Sequence, residues 1–164
     1  MRFLALATDY DGTLATDGAV DPQTVTALRR LAATGRKLIL VTGRQLNDLL
    51  RVFPDARIFD AVVAENGAVL YRPATGATRV LAPPPPADFV ETLQARRVEP
   101  LWRGQVVVAI GDAENDQAFL ATSGYGVAVA NALDSLKATT THVTRGEAGA
   151  GVREIIDWLL AEDK

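Results

Sequence analysis

The chain has 164 residues, 48% hydrophobic and 23% charged, enough for one domain with a proper core and hardly for two. Its net charge of −3, with both signs scattered, suggests no polyanion-binding face, so no nucleic-acid partner is expected. The absence of cysteine excludes disulfides and thiolate metal sites. No apolar stretch is long enough to span a membrane and no leader pattern precedes the first apolar run, so the expectation is a cytoplasmic protein with no membrane partner.

Residues 3–8 are mostly apolar and run into Asp9-Tyr10-Asp11-Gly12-Thr13-Leu14, which predicts a buried parallel strand stopped by a loop. The loop at the carboxyl end of such a strand is where open α/β sheets hold ligands, so Asp9 and Asp11 are the first candidate functional residues. Two carboxylates this close repel unless a cation neutralises them or one keeps a proton. Asp21-Pro22 supplies an N-cap and a first-turn proline, and Val25, Leu28 and Leu31 keep helical spacing up to Gly35. Residues 37–41 predict a second buried strand, stopped by Thr42-Gly43-Arg44 and followed by a helix over 45–52, completing a right-handed βαβ unit.

A third strand is expected over 58–64, closed by Glu65-Asn66-Gly67, and a β-hairpin over 68–81. Four prolines at 83–86 make a stiff spacer, and 87–97 reads as a short helix. A fourth core strand over 106–110 ends at Gly111-Asp112. A helix over 114–121, a fifth strand over 125–130 and a short helix over 133–138 follow. Val152, Ile155, Ile156, Leu159 and Leu160 give a final amphipathic helix over 152–160. The glycine-rich run 146–151 follows no convincing long strand and is read as a turn before that helix.

Four of these strand ends carry polar residues, and all belong at the carboxyl edge of one parallel sheet. Thr42 can donate its hydroxyl to a phosphate oxygen, with the Gly43 amide beside it at a helix N-terminus. Asp116 returns about one helical turn after Asp112, on the same side. Those two carboxylates, with Asp9 and a backbone carbonyl of the first loop, make an all-oxygen Mg²⁺ site with water left in it.

The succession Asp-x-Asp-Gly-Thr-Leu, Thr-Gly-Arg and Gly-Asp-x-x-Asn-Asp resembles the motifs of the haloacid dehalogenase superfamily of phosphohydrolases. Residues 1–70 and 105–160 are similar to the cap-bearing group that includes the Cof-type sugar phosphatases and sucrose-phosphate phosphatase. Glu65-Asn66-Gly67 and Gly126-Val127-Ala128-Val129-Ala130-Asn131-Ala132 belong to that similarity. The resemblance implies a three-layer, Rossmann-like α/β domain with a mainly parallel five-stranded sheet of order 5-4-1-2-3. Residues 1–164 would form one core domain, with 68–104 as a cap remnant or a plain crossover. It implies Asp9 as nucleophile, Asp11 as general acid/base, Thr42, Gly43, Arg44 and Asn115 around the phosphate, and Mg²⁺ at Asp9, Asp11, Asp112 and Asp116. The expected activity is Mg²⁺-dependent hydrolysis of a small phosphomonoester, such as a sugar phosphate, through an aspartyl-phosphate.

Two departures from the family pattern temper that expectation. The cap is reduced to a hairpin, a proline run and one helix. The family's lysine has no counterpart, because Lys37, Lys137 and Lys164 all fall in the wrong places, leaving Arg44 as the nearest cation. Slow, unselective turnover is therefore expected, and a homodimer through the hairpin at 68–81 is one way to cover the opening. The alternatives are a phosphomutase, which shares the same residues but needs a cap, and a low-activity member that binds Mg²⁺ or phosphate. A receiver-like phospho-acceptor is disfavoured because the third strand ends in Glu65-Asn66 instead of an acceptor aspartate.

Overall fold

The first strand, β1 (Ala5–Asp9), is buried at every position, as a strand flanked on both edges and both faces must be. A computed structural model describes residues 3–81 and 104–161. The proline run and the helix expected over 87–97 lie outside those residues. Strands β2 (Lys37–Val41) and β3 (Ala61–Ala64) extend the sheet from one edge of β1. Strands β6 (Gly104–Gly111) and β7 (Ser123–Ala128) extend it from the other. All four pairings are parallel, so these five strands run β7-β6-β1-β2-β3, the expected order 5-4-1-2-3. The chain leaves β1 first toward β2 and later returns to β6. The gap between β1 and β6 at the carboxyl edge is therefore the topological switch point.

The complete described sheet has eight strands. The hairpin of β4 (Val69–Arg72) and β5 (Ala77–Val80) is no separate flap: β4 pairs antiparallel with β3 and continues the sheet outward. On the far edge, the two-residue β8 (His142–Val143) pairs parallel with β7. Two residues carry no periodicity, so the sequence held no signal for β8.

Helix α1 (Pro22–Ala32) starts where Asp21 accepts the amides of Gln23 and Thr24, at 2.8 and 3.0 Å. It packs against the last helix, α5 (Ala148–Ala161), and Leu28, Leu31, Ile155, Ile156 and Leu159 are all buried in the same core cluster. Helix α2 (Leu46–Val52) follows β2, α3 (Gln117–Thr122) packs on β6 and β7, and α4 (Asp134–Lys137) is a single turn after β7. The molecule is thus the expected three-layer, Rossmann-like α/β fold.

Several boundaries differ from the sequence reading, β7 for instance running two residues earlier at each end, and three of the differences have a local reason. β3 begins after a 3-10 turn, Pro54–Ile58, which proline opens and Phe53 and Phe59 seal into the core. A second 3-10 turn, Glu114–Asp116, precedes α3, because the Asp116 side chain folds back on the loop before it. The run 146–151 is only half a turn: α5 already starts at Ala148, whose amide donates to Asn131 Oδ1 at 2.7 Å. Glycine is needed inside that first helical turn for contact. A Cβ on Gly149 would lie 2.7 Å from Thr24 Oγ1 of α1 and 3.0 Å from the Leu14 carbonyl.

Candidate active site

Asp9 is the last residue of β1 and is 5% exposed. Asp112, just past β6, and Asp116, at the end of the 3-10 turn, come to it across the switch point. One carboxylate oxygen from each of the three lies within 4.8 Å of the others. Burial, then the Asp116 charge, and more weakly Asp112, push the Asp9 carboxyl up to about 8, against the opposing polar influence of the Tyr10 amide and the nearby Thr13 hydroxyl. Asp116 is also shifted up, first by burial, and less by Asp112. Three mutually repelling carboxylates with oxygen-only donors are what a hard divalent cation stabilises, so the residues present fit Mg²⁺.

The two loops are held at this spacing by their own backbone bonds. Asp116 Oδ2 accepts the amides of Asp112 and Ala113, at 2.9 and 3.0 Å, which closes the loop into a tight curl. Asp116 Oδ1 faces Asn115 Nδ2 at 3.4 Å. From the first loop, the buried Thr13 hydroxyl donates to Asp112 Oδ1 at 2.6 Å. Gly12 has φ +78°, and a Cβ there would sit 2.4 Å from Asp112 Oδ2, so the loop accepts only glycine. Asn131 ties the assembly to α5: its Nδ2 donates to the Gly12 carbonyl at 2.8 Å while its Oδ1 holds the Ala148 amide.

On the other side of Asp9, buried Thr42 accepts the Arg44 amide at its hydroxyl oxygen, at 3.1 Å, which leaves the hydroxyl proton for another acceptor. The β3 loop clasps this segment, with Glu65 and Asn66 donating their amides to the carbonyls of Arg44 and Thr42. Glu65, Asn66 and Gly67 all have positive φ, at 56°, 53° and 94°, a run that turns the chain back beside Gly43.

Arg44 and Asp11 face each other. The guanidinium forks onto both oxygens of Asp11, Nε to Oδ2 and Nη2 to Oδ1, each at 2.7 Å. Nη1 goes to Asp48 Oδ2 at 2.9 Å, and the guanidinium carbon lies 5.3 Å from the Tyr10 ring centroid. All three nitrogens of Arg44, expected at the phosphate, are thus turned to carboxylates. The Asp11 side chain, 49% exposed, stands outside the cluster of Asp9, Asp112 and Asp116.

Two cavities meet at Asp9, Gly43 and Asn115. One, of about 370 Å³, is polar and also lined by Asp11, Arg44 and Asp112. The other, of about 440 Å³, reaches Thr42, Asn66, Val63 and Phe119. Every sequence-predicted site residue therefore borders one connected region. Thr13, Asp48, Asn66 and Asn131 were not singled out for the site. Thr13, Asn66 and Asn131 stand inside stretches already noticed, and Asp48 lies four residues after Arg44, a helical spacing that could have signalled their pairing.

A model of the haloacid dehalogenase-like hydrolase family matches residues 6–102 and 99–156, and the chain belongs to that family. Among curated proteins, a phosphoglycolate phosphatase from Methanobrevibacter smithii is 49% identical over 51 residues, 31% of this chain and 22% of the relative. The Bacillus subtilis 5-amino-6-(5-phospho-D-ribitylamino)uracil phosphatase YwtE is 40% identical over 57 residues, 35% of this chain and 20% of the relative. The matched stretch thus spans less than a quarter of either relative's own length. Among solved structures, a haloacid dehalogenase-like hydrolase from Bacteroides thetaiotaomicron superposes with a TM-score of 0.75 at 16% identity, covering 96% of this chain and 99% of that one. The 3-deoxy-D-manno-octulosonate 8-phosphate phosphatase from Moraxella catarrhalis, solved with magnesium and phosphate ions and the sugar, gives 0.67 at 19% identity, covering 98% and 87%. At these identities the two structures share the fold.

Proposed function

We propose that this chain is a Mg²⁺-dependent phosphomonoester hydrolase that works through an aspartyl-phosphate on Asp9. The observation that carries the reading is the trio of Asp9, Asp112 and Asp116 at the switch point, beside Thr42 and the Gly43 amide. Asp9 attacks phosphorus in line: the bond from its carboxylate oxygen forms as the bond to the leaving oxygen breaks. Asp11, protonated from solvent once its carboxyl leaves the Arg44 fork, gives that proton to the leaving oxygen, then takes one from the water that opens the aspartyl-phosphate. Thr42 and the Gly43 amide hold the non-bridging oxygens, with Asn115 at the rim. Asp9, Asp112 and Asp116, with a backbone carbonyl at Asp11, would hold Mg²⁺, which offsets the negative charge of the carboxylates and the transferring group.

The substrate class is a small phosphomonoester, in line with the phosphorylated compounds that the relatives' names give. Residues 1–164 are read as one core domain, with 68–104 standing where the cap would be. Among the described residues no cationic side chain is placed on Asp9. Lys37 pairs with Asp60 at 2.7 Å, Lys137 with Asp134 at 3.4 Å, and Arg44 with Asp11 and Asp48. A panel of small sugar phosphates and phosphoglycolate, with and without Mg²⁺, tests the reading with Asp9→Asn as blank. Mg²⁺-dependent release of phosphate is expected, and activity equal in the blank would overturn it.

A further inference from the structure

A phosphomonoester brings nearly two negative charges, and its non-bridging oxygens accept several hydrogen bonds at once. Thr42 and the Gly43 amide supply two neutral donors, while Lys37, Lys137 and Arg44 are each paired with carboxylates. The loop after β3 offers a third. Glu65 and Asn66 take positive φ, 56° and 53°, ahead of Gly67 at 94°. Asparagine tolerates that region, but glutamate rarely adopts it, and such strain persists only where neighbouring contacts impose it. Here the contacts are the Arg44 and Thr42 carbonyls, which accept the Glu65 and Asn66 amides at 3.1 and 3.3 Å. The turn lays the Asn66 side chain against Gly43, where a Cβ would stand 3.0 Å from Asn66 Oδ1 and 3.8 Å from Nδ2. Asn66 thereby fills the space that a side chain at Gly43 would take.

Asn66 lines the cavity of about 440 Å³ together with Asp9, Thr42 and Gly43. Its main chain is bonded to Thr42, yet among the described residues its side-chain amide has no hydrogen-bond partner. Asn115, which borders the same cavity, already turns its Nδ2 toward Asp116 Oδ1 at 3.4 Å. Asn66 is therefore the asparagine with both N–H groups available to a ligand, and half a turn about its last bond exchanges Oδ1 for Nδ2. We infer that Asn66 contacts the substrate: its Nδ2 donates to a non-bridging phosphoryl oxygen beside the Gly43 amide, a third neutral donor in place of a cationic side chain. This rests on the phosphatase reading above. It needs no change of protonation, since the amide is neutral throughout.

Alanine at this position would strain a backbone held at φ 53°, so glycine is the deletion that keeps the turn. Asn66→Asp keeps the shape and the turn, but it has no N–H to donate and brings a like charge toward the phosphoryl group. The unsubstituted protein and both variants are compared in three measurements: kcat/KM for 4-nitrophenyl phosphate, inhibition of that reaction by inorganic phosphate, and calorimetric Mg²⁺ binding without substrate. In Asn66→Gly, kcat/KM and the affinity for inorganic phosphate should both fall by about tenfold to a hundredfold, the worth of one hydrogen bond to a charged group. Asn66→Asp should lose more on both. Mg²⁺ affinity should be unchanged in Asn66→Gly, because Asn66 is not among the three carboxylates that would hold the ion. Undiminished phosphate affinity and kcat/KM in Asn66→Gly, or a parallel loss of Mg²⁺ affinity, would overturn the role of Asn66 alone. An unsubstituted protein that releases no phosphate from 4-nitrophenyl phosphate with Mg²⁺ would remove the phosphatase reading and this role with it.

Discussion

Asp112 and Asp116 look alike in the motif but do different work in the fold. Asp112 accepts one hydroxyl, from Thr13, whereas Asp116 accepts two loop amides. Asp112→Ala should abolish or strongly weaken Mg²⁺ binding, with a smaller fall in melting temperature than Asp116→Ala because only the Thr13 hydroxyl loses its acceptor. Asp116→Ala should also strip partners from two amides, at about 1–3 kcal/mol each where they are buried, so its melting temperature should fall by several degrees. Calorimetric titration with Mg²⁺ and thermal melts of the two variants check this, and undiminished binding in Asp112→Ala would remove the metal site. The Asp9 carboxyl gives a pH signature in the metal-free protein. Its folded value, about 8, lies above the unfolded 3.8, so the native state holds this proton more tightly than the unfolded one. Stability from this group is therefore full below about pH 4 and is lost as pH rises toward 8. Melts in chelator at pH 5 and pH 8 should show a decline that Asp9→Asn reduces. At this scale the sequence was legible wherever spacing along the chain set the contact, as for Asp112 and Asp116. It expected Arg44 at the phosphate, whereas the fold turns it to carboxylates: Asp48 at i,i+4 spacing, and Asp11, which it meets only when the first loop reaches the segment before α2.

Helix α5 shows how packing between elements settles what local pattern leaves open. Gly-rich 146–151 has the look of a loop, and its apolar periodicity starts only at Val152. The helix nonetheless starts at Ala148, because Asn131 caps its first amide and the glycines let it close onto α1 and the first loop. Gly149→Ala should therefore destabilise, despite alanine's better helix propensity, by about 1–3 kcal/mol from overpacking against Thr24 and Leu14. Denaturant unfolding measures it. A stabilised variant would show that the contact with α1 relaxes freely. The hairpin illustrates the opposite case. Alternation and turn residues made β4 and β5 legible as elements, but nothing in them named β3 as their neighbour.

For the whole molecule, the strand order followed from where the motifs fall. Every polar cluster ends a buried apolar run, so all had to share one sheet edge, and the family pattern then fixed 5-4-1-2-3. The extension to eight strands was not legible, because edge pairings depend on short exposed segments: β5 is exposed at all four positions, and β8 has two residues. No described helix is long and apolar enough to cross a membrane. What unites the fold and the site is that β1 delivers one carboxylate, Asp9, into the gap that the reversal of strand order opens. The most direct test of that account is to mix the protein with substrate and Mg²⁺, quench in acid within a turnover, and map the phosphoryl group by mass spectrometry. The account predicts the label on Asp9, accumulating in Asp11→Asn because the water step is slowed, and absent from Asp9→Asn. A label on another residue, or turnover that survives in Asp9→Asn, would contradict it.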